Sequence, residues 1–455
     1  MEHCTVLILA AGQGTRMRSS LPKVLHPLAG RPLLGHILTT VRQLHPTRLI
    51  VVIGHQADRV QAAFDDADIF WVYQAEQLGT AHAVRCAMPE LTDQQGELLI
   101  LSGDTPLIEL QLLQALLLLH RQENNGVTVV SMTQERPTGY GRIVRDGQGQ
   151  LQRIVEEKDA SCEERLITEV NSGVYCVSLR GLFGWLEQIS AENAQREYYL
   201  PDLLALAVRE GCAGVLHHAD ALSLAGVNDR QQLSILERAL RDKLVADWQR
   251  RGVTFTDPAS CWLASDVVIG PDSIIEPNVI LGGATIIGEA CHIGPFCEIQ
   301  HSQIGDACHI KGFCHLEEAI LDGKNEVGPY ARLRPGTVLA EGARVGNFCE
   351  LKKAHIGENS KINHLAYIGD TTMGRGVNVG AGTITCNYDG QKKHQTIIED
   401  GVFIGSDSQL VAPVRIGEQA VIGAGTTVTK EVPAGALAVS RVTQTHIANW
   451  HKRKN

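Results

Sequence analysis

The stretch Val268-Ile269-Gly270-Pro271-Asp272-Ser273-Ile274-Ile275-Glu276-Pro277-Asn278-Val279-Ile280-Leu281 decides the fold of its half of the chain, because an aliphatic residue returns every six positions with turn formers between. The register continues through Ile287, Ile293 and Ile299, then Ile304 and Ile310, then Val327, Leu333, Leu339, Val345 and Leu351. It resumes at Ile356, Ile362 and Ile368, and again at Ile404, Leu410, Ile416, Ile422 and Val428. Gly follows the aliphatic residue at 270, 288, 294, 305, 328, 346, 357, 369, 405, 417 and 423. A six-residue period with Gly at the turns is the signature of a hexapeptide parallel β-helix, in which each repeat is one short strand and stacked coils share a single core. The steps of five at 299–304 and 351–356, and the interruption around 386–398, predict loops or bent corners.

The cysteines obey the same register. Cys291, Cys297, Cys308, Cys314 and Cys349 each lie four residues after a register aliphatic, where Thr383, Ser408 and Ala420 stand in other repeats. They are expected to be small inward-facing core residues. No C-x-x-C occurs, and a spacing of six puts His309 and His315 on different faces of a coil, so a zinc site is not expected.

Before residue 230 the texture differs. Val6 to Leu9, Leu49 to Ile53 and Leu98 to Leu101 are short apolar runs suited to buried parallel strands. Helical patterns at Leu33 to Leu44 and Gly79 to Met88 lie between them, and the alternation argues for an α/β domain with a mostly parallel sheet. From Gln231 to Arg251 the apolar positions Leu233, Leu236, Leu240, Leu244 and Trp248 recur at helical spacing, with Gly252 placed to stop the helix. The expected domains are 1–230, a helical linker 231–251, and the β-helix 252–455.

At 455 residues with 44% hydrophobic and 20% charged composition, the chain is long enough for several domains and is neither disordered nor disulfide-stapled. A net charge of −10 argues against a nucleic-acid partner. No apolar run approaches a membrane span, and Met1-Glu2-His3-Cys4 lacks the basic start of a signal peptide, so a cytoplasmic protein is expected. The basic Lys452-Arg453-Lys454 end reads either as a solvated terminus or as a contributor to a neighbouring subunit's ligand.

Chemistry begins at Leu9-Ala10-Ala11-Gly12-Gln13-Gly14-Thr15-Arg16-Met17, a glycine turn directly after a strand, where backbone N–H groups approach phosphates and Arg16 adds charge. The third Gly of a dinucleotide fingerprint is missing and no G-x-x-x-x-G-K-[ST] exists, which argues against a dehydrogenase and a P-loop enzyme. Leu21-Pro22-Lys23 supplies a second cation, unless Lys23 is simply a solvated surface residue. Asp104 ends an apolar strand, the usual place for ligand residues in open α/β sheets; it reads as a Mg²⁺ ligand or as a helix N-cap before Pro106.

Taken together, the motif at 9–17 with Leu21-Pro22-Lys23 resembles the sugar-1-phosphate nucleotidyltransferases. Asn363-His364-Leu365-x-Tyr367, Asn378 to Gly390 and Gly405-Ser406-Asp407 narrow the resemblance to the bacterial bifunctional family that combines glucosamine-1-phosphate N-acetyltransferase with N-acetylglucosamine-1-phosphate uridyltransferase. The resemblance spans essentially the whole chain and implies a Rossmann-like nucleotidyltransferase domain joined to a left-handed β-helix. It implies that Leu9, Ala10, Ala11, Gly12, Ser102 and Gly103 contact the nucleotide, that Arg16 and Lys23 act in catalysis, and that Asp104 and Asn228 hold Mg²⁺. It carries Gln74, Gly79 and Thr80 over as contacts to uracil, and Gly139, Glu156 and Asn171 as contacts to the sugar. Taken alone, Asn228 reads as a turn or cap residue, and the others as polar loop decoration.

For the second half the implied chemistry is acetyl transfer to an amine, which needs a proton acceptor, and His364 fits. A single His on a β-helix is more often structural, but Arg334 and Lys352 nearby offer cations for a sugar phosphate, and Glu350 is the expected orienting group for the imidazole. The resemblance implies Tyr367 and Asn378 for the sugar, and Ala381, Asn387, Tyr388, Ser406, Ala424 and Arg441 for acetyl-coenzyme A. The implied substrates are UTP, glucosamine 1-phosphate, N-acetylglucosamine 1-phosphate and acetyl-coenzyme A, and the implied assembly is a homotrimer. Competing readings are a monofunctional sugar-1-phosphate nucleotidyltransferase whose β-helix serves assembly or regulation, and a non-catalytic subunit built from the same modules.

Overall fold

A computed structural model of the chain describes residues 4–64, 66–91 and 95–451, so the basic Lys452-Arg453-Lys454 end lies outside the described residues. Two compact units emerge, Met1–Leu240 and Arg241–Asn455.

In the first unit, strands line up in the order Ala213–His218, Val127–Thr133, Glu169–Ser178, Glu97–Ser102, Cys4–Leu9, Arg48–Ile53 and Ile69–Tyr73. Neighbours are parallel except Glu169–Ser178, which runs antiparallel to both of its partners. The mostly parallel α/β sheet expected from the sequence is therefore present. Alternate residues of Cys4–Leu9 feed two cores: Val6 and Ile8 pack with Ile37, Leu38 and Val41, while Leu7 packs with Ala81, Val84 and Leu203. Burial of both faces is why these strands read as unbroken apolar runs. The helices Leu33–Arg42 and Thr80–Ala87 are shorter than their sequence patterns, because the pattern also counts apolar residues in the flanking turns.

The second unit is a β-helix. One sheet of 11 strands forms a face, and a curled sheet of 17 short strands forms two more; successive coils pair in parallel register. Every register aliphatic points inward, none more than 4% exposed. Leu316 and Leu321 fill the sequence gap between Ile310 and Val327, and Met373 and Val379 extend the series after Ile368. Steps of five from Leu316 to Leu321 and from Ile368 to Met373 interrupt the six-residue period at these positions.

All departures from six fall at one corner of the coil, between the two faces of the curled sheet. The five-residue steps there each contain a non-glycine residue in the left-handed region: His301 (φ 49°), Glu318 (φ 47°), Lys353 (φ 46°) and Asp370 (φ 47°). Strands Glu350–Ile356 and Tyr367–Met373 run through the bend without interruption, so these are bent corners. The interruption near 386–398 is an insertion at this same corner, where Tyr388 and Lys393 pair antiparallel. A corner accepts added residues because they extend outward and leave the shared core untouched.

Cys291, Cys297, Cys308, Cys314 and Cys349 are inward and at most 2% exposed, as expected. Their thiols face carbonyl oxygens of the next coil, Cys291 Sγ to Gly305 O at 3.2 Å and Cys297 Sγ to Lys311 O at 3.2 Å. The helix Arg230–Arg250 places Leu244, Val245 and Trp248 against the β-helix core. Among the described residues no helix is long and apolar enough to cross a membrane.

Candidate active sites

In the first unit a cavity of about 310 Å³ opens at the carboxyl ends of the strands, where open α/β sheets place ligands. Leu9, Ala10, Ala11, Gly12, Lys23, Gln74, Gly79, Thr80, Ser102 and Asp104 line it, drawn from four separate stretches of sequence. Gly103, between Ser102 and Asp104, does not itself line the cavity; its N–H is bonded to Leu9 O at 2.8 Å. Two glycines are required by shape. Gly14 (φ 60°) lies so near Lys23 that a Cβ would sit 2.7 Å from the lysine Cβ, and a Cβ on Gly79 (φ 114°) would meet the Tyr198 carbonyl at 2.5 Å. Val24, Gln77, Ala83 and Glu197 also line the cavity and were not singled out in the sequence; no local motif marks them.

At one end of this cavity Lys23 Nζ is ion-paired with Asp104 Oδ2 and lies 3.3 Å from Asn228 Oδ1, which also accepts from Arg16 Nη2 at 2.9 Å. Residues 124 positions apart meet because Val227 N–H donates to Asp104 O at 2.9 Å. Asp104 caps no helix, since the next one begins at Leu110; the N-cap reading is corrected. Asn228 is not the cap of Arg230–Arg250 either, because Asp229 Oδ1 accepts from Gln232 N–H at 2.8 Å. One carboxylate and one amide oxygen thus converge on a positive charge, a hard-oxygen donor set that suits a divalent cation.

Gly139, Glu156 and Asn171 do not line this cavity; they gather around the hairpin Arg142–Arg145 and Leu151–Val155. Asn171 donates to Tyr175 OH at 2.6 Å and to Gly141 O through its backbone at 2.8 Å. Gly139 N–H reaches Glu157 Oε2 at 3.2 Å, and Glu157 holds the buried Arg142 at 2.6 Å. Burial, then the charges of Asp159 and Asp202, push the Glu156 carboxyl up to about 7. Because the folded chain holds this proton longer than the unfolded one, stability falls as pH rises from about 4.5 to about 7. Glu156→Gln is expected to remove that loss, raising resistance to urea at pH 8 by at most about 3 kcal/mol and leaving it unchanged at pH 4. Denaturant titrations at the two pH values check it.

In the β-helix, His364 ends the strand Lys361–His364 and pairs across one coil with Asn347. His364 Nδ1 donates to Asn347 Oδ1 at 2.9 Å, which leaves Nε2 as the ring's acceptor. The pair lines a polar cavity of about 320 Å³ with Lys311, Glu326, Arg344 and Asn363. Glu350 does not orient the imidazole: its carboxylate accepts from Arg334 Nη1 at 2.8 Å on the adjoining face. Nearness in sequence misleads here, because a residue's spatial neighbour lies one coil away, and Asn347 precedes His364 by 17 positions. Asn347→Leu is expected to lower the turnover of acetyl transfer roughly 10- to 100-fold with substrate KM little changed. Steady-state kinetics separates the two parameters.

Arg334 and Lys352 occupy one column on successive coils of the adjoining face, as the pairing of Leu333 with Leu351 requires. Lys393, from the inserted hairpin, and Arg334 push the Lys352 ammonium below its ordinary range. Such a cluster of like charges favours an anion, and Lys393 was not singled out in the sequence. Tyr367 stacks on Glu350 in the same face, and Asn378 pairs with Lys361; neither they nor the two cations line the His364 cavity. Ala381, Ser406 and Ala424 hold equivalent places on three consecutive coils, and Arg441 Nε donates to Ala424 O at 3.1 Å. Asn387 is buried with Nδ2 on Asp370 Oδ2 at 2.5 Å, while Tyr388 on the hairpin is exposed.

Residues 6–244 match the family model for the MobA-like NTP transferase domain, residues 263–352 that for the GMPPB C-terminal domain, and residues 395–430 that for bacterial transferase hexapeptide repeats. A protein of Pelobacter propionicus named bifunctional protein GlmU is 48% identical over 455 residues, with 100% of this chain and 99% of its own length covered. Proteins of the same name from Marinobacter nauticus and Acinetobacter baylyi are 47% and 46% identical, covering 100% and 98% of both chains. A nucleotidyltransferase unit and a hexapeptide transferase unit on one chain, matched end to end by these relatives, establish that the chain belongs to the bifunctional GlmU family.

Proposed function

We propose that the chain makes UDP-N-acetylglucosamine in two steps, acetylating glucosamine 1-phosphate in the β-helix (252–455) and uridylylating the product in the α/β domain (1–230), with 231–251 as the connecting helix. The observation that carries this reading is that one chain holds both a Lys23–Asp104–Asn228 cluster at the strand ends and a His364–Asn347 pair on a β-helix.

In the acetyl step His364 Nε2 takes a proton from the ammonium of glucosamine 1-phosphate, and the freed amine attacks the thioester carbonyl of acetyl-coenzyme A. An amide bond forms, the carbon–sulfur bond breaks, and the coenzyme leaves as a thiol after taking up a proton. Arg334, Lys352 and Lys393 hold the sugar phosphate, and Tyr367 and Asn378 hold the sugar. The Ala381 N–H sits by the acetyl group, and Asn387, Tyr388, Ser406, Ala424 and Arg441 bind the coenzyme.

In the uridylyl step the phosphate of N-acetylglucosamine 1-phosphate attacks the α-phosphorus of UTP and pyrophosphate leaves. The nucleophile is already an anion, so no general base is needed, and positioning with charge stabilisation supplies the acceleration. Arg16 and Lys23 serve the phosphates. Leu9, Ala10, Ala11, Gly12, Ser102 and Gly103 border the nucleotide, Gln74, Gly79 and Thr80 meet the uracil, and Gly139, Glu156 and Asn171 meet the sugar. Asp104 and Asn228 would hold Mg²⁺, which when bound neutralises triphosphate charge and orients it.

We infer a cytoplasmic homotrimer. Support for association comes from an exposed ladder along one β-helix edge, where Phe296, Phe313, Tyr330 and Phe348 stack at 5.0, 4.9 and 5.4 Å. Light scattering on purified protein tests the number. The functional test mixes protein, glucosamine 1-phosphate and acetyl-coenzyme A without UTP and follows thiol release. Release is expected; its absence from a chain that still forms pyrophosphate from UTP and N-acetylglucosamine 1-phosphate would leave the β-helix an assembly or regulatory module.

A further inference from the structure

We propose that His82 selects the nucleobase by fixing which way round the Gln74 amide stands, a positioning role that rests on the reading above that Gln74 meets the base. Gln74 follows the strand Ile69–Tyr73, is 3% exposed and lines the nucleotide cavity. Its Nε2 lies 3.2 Å from the Gly79 carbonyl oxygen and 3.0 Å from His82 Nδ1. A carbonyl oxygen only accepts, so the atom facing Gly79 is the amide NH₂, and both of its protons are spent, one on Gly79 O and one on His82.

His82 Nδ1 is therefore the bare ring nitrogen. The ring proton sits on Nε2, which lies 3.9 Å from Cys86 Sγ, one turn further along the helix Thr80–Ala87. Tyr198 packs against the imidazole with ring centroids 6.5 Å apart, and Arg85 lies 4.3 Å over the Tyr198 ring, so the histidine has little freedom to turn. Gln74 Oε1 has no donor among the described residues and is the atom left for a ligand.

An acceptor there complements the N3–H of uracil. Cytosine carries a bare N3 at the same edge and would oppose it, two acceptors facing each other at a side chain only 3% exposed. Turning the amide over would suit cytosine, but it would set Oε1 against Gly79 O and would require the His82 ring proton to leave Nε2, beside Cys86 Sγ, for Nδ1. Removing the imidazole leaves Gly79 alone to hold the orientation.

The test measures pyrophosphate release by the full chain with N-acetylglucosamine 1-phosphate and either UTP or CTP, for the parent, His82→Leu and His82→Asn. The parent is expected to prefer UTP. His82→Leu is expected to narrow the UTP:CTP ratio of kcat/KM about tenfold, by losing UTP use and gaining CTP use. His82→Asn, whose side-chain oxygen can still accept from Gln74, is expected to keep most of the ratio. Equal falls with both nucleotides in His82→Leu, leaving the ratio intact, would overturn the proposal and leave His82 a packing residue. If His82→Leu turns over neither nucleotide, equilibrium binding of UTP and CTP to that variant decides on the same ratio. A parent chain that uses neither nucleotide overturns the reading of Gln74 itself, which is a distinct failure.

Discussion

His364→Ala is expected to lose acetyl transfer by roughly 10²- to 10⁴-fold while pyrophosphate formation from UTP and N-acetylglucosamine 1-phosphate stays at the parent rate. The amine of glucosamine 1-phosphate is an ammonium in neutral water and has no lone pair to offer until something takes its proton. His364 has its Nδ1 proton committed to Asn347, so Nε2 is the ring atom with a lone pair, and it borders a cavity lined by polar groups. No other side chain lining that cavity is a neutral base: Lys311 is ion-paired to Glu326, and Arg344, Asn347 and Asn363 hold no transferable proton near neutral pH. Thiol release in the absence of UTP reads the loss directly. A variant that retains parent thiol release would remove His364 from catalysis. His364 is exposed, so the substitution leaves no cavity in the core and a folding defect is not expected.

Asp104→Ala is expected to cost uridylyl transfer roughly 10²- to 10³-fold and to leave acetyl transfer unchanged. The carboxylate is the negative member of the cluster formed with Lys23, Asn228 and Arg16. Without it, an amide oxygen alone remains for a divalent cation, and the Lys23 ammonium loses the partner that holds it at the cavity wall. None of the residues assigned to acetyl transfer belongs to the first unit, so the two activities should separate cleanly. Measuring pyrophosphate across a range of Mg²⁺ concentrations distinguishes the cause: a metal-binding defect is partly relieved at high Mg²⁺, and a purely structural one is not. Loss of both activities together would contradict the division of labour between the units.

Asp104 was legible in the sequence as a strand-end carboxylate, but its choice between metal ligand and helix cap was not. That choice depends on where the next helix begins, and on Val227 holding Asn228 beside it from more than a hundred residues away. The hexapeptide register, by contrast, could be read almost residue by residue. Each coil repeats the same local problem, one aliphatic side chain inward and one turn outward, so the pattern is periodic and needs no distant partner. Leu316 and Leu321 continue that register, six residues after Ile310 and then a further step of five, which breaks the period before Val327.

The orienting partner of His364 shows the limit. Glu350 is closer in sequence, but the coil has turned onto another face by then, and Arg334 takes its carboxylate. Asn347 is the partner because one turn of the coil returns the backbone to the same face, a relation set by coil length and by the corner at which residues are dropped. Lys393 is brought to Lys352 by a hairpin inserted at that corner. What the sequence by itself determined is therefore whatever repeats locally or adjoins a strand end: the alternating α/β half, the β-helix, its inward cysteines, and the glycine loop with its cations. Only the tertiary structure decided the pairings of Asp104 with Lys23 and Asn228, of His364 with Asn347, and of Gln74 with His82. Each is a hydrogen bond or ion pair between side chains whose separation is fixed by backbone packing rather than by their own spacing along the chain.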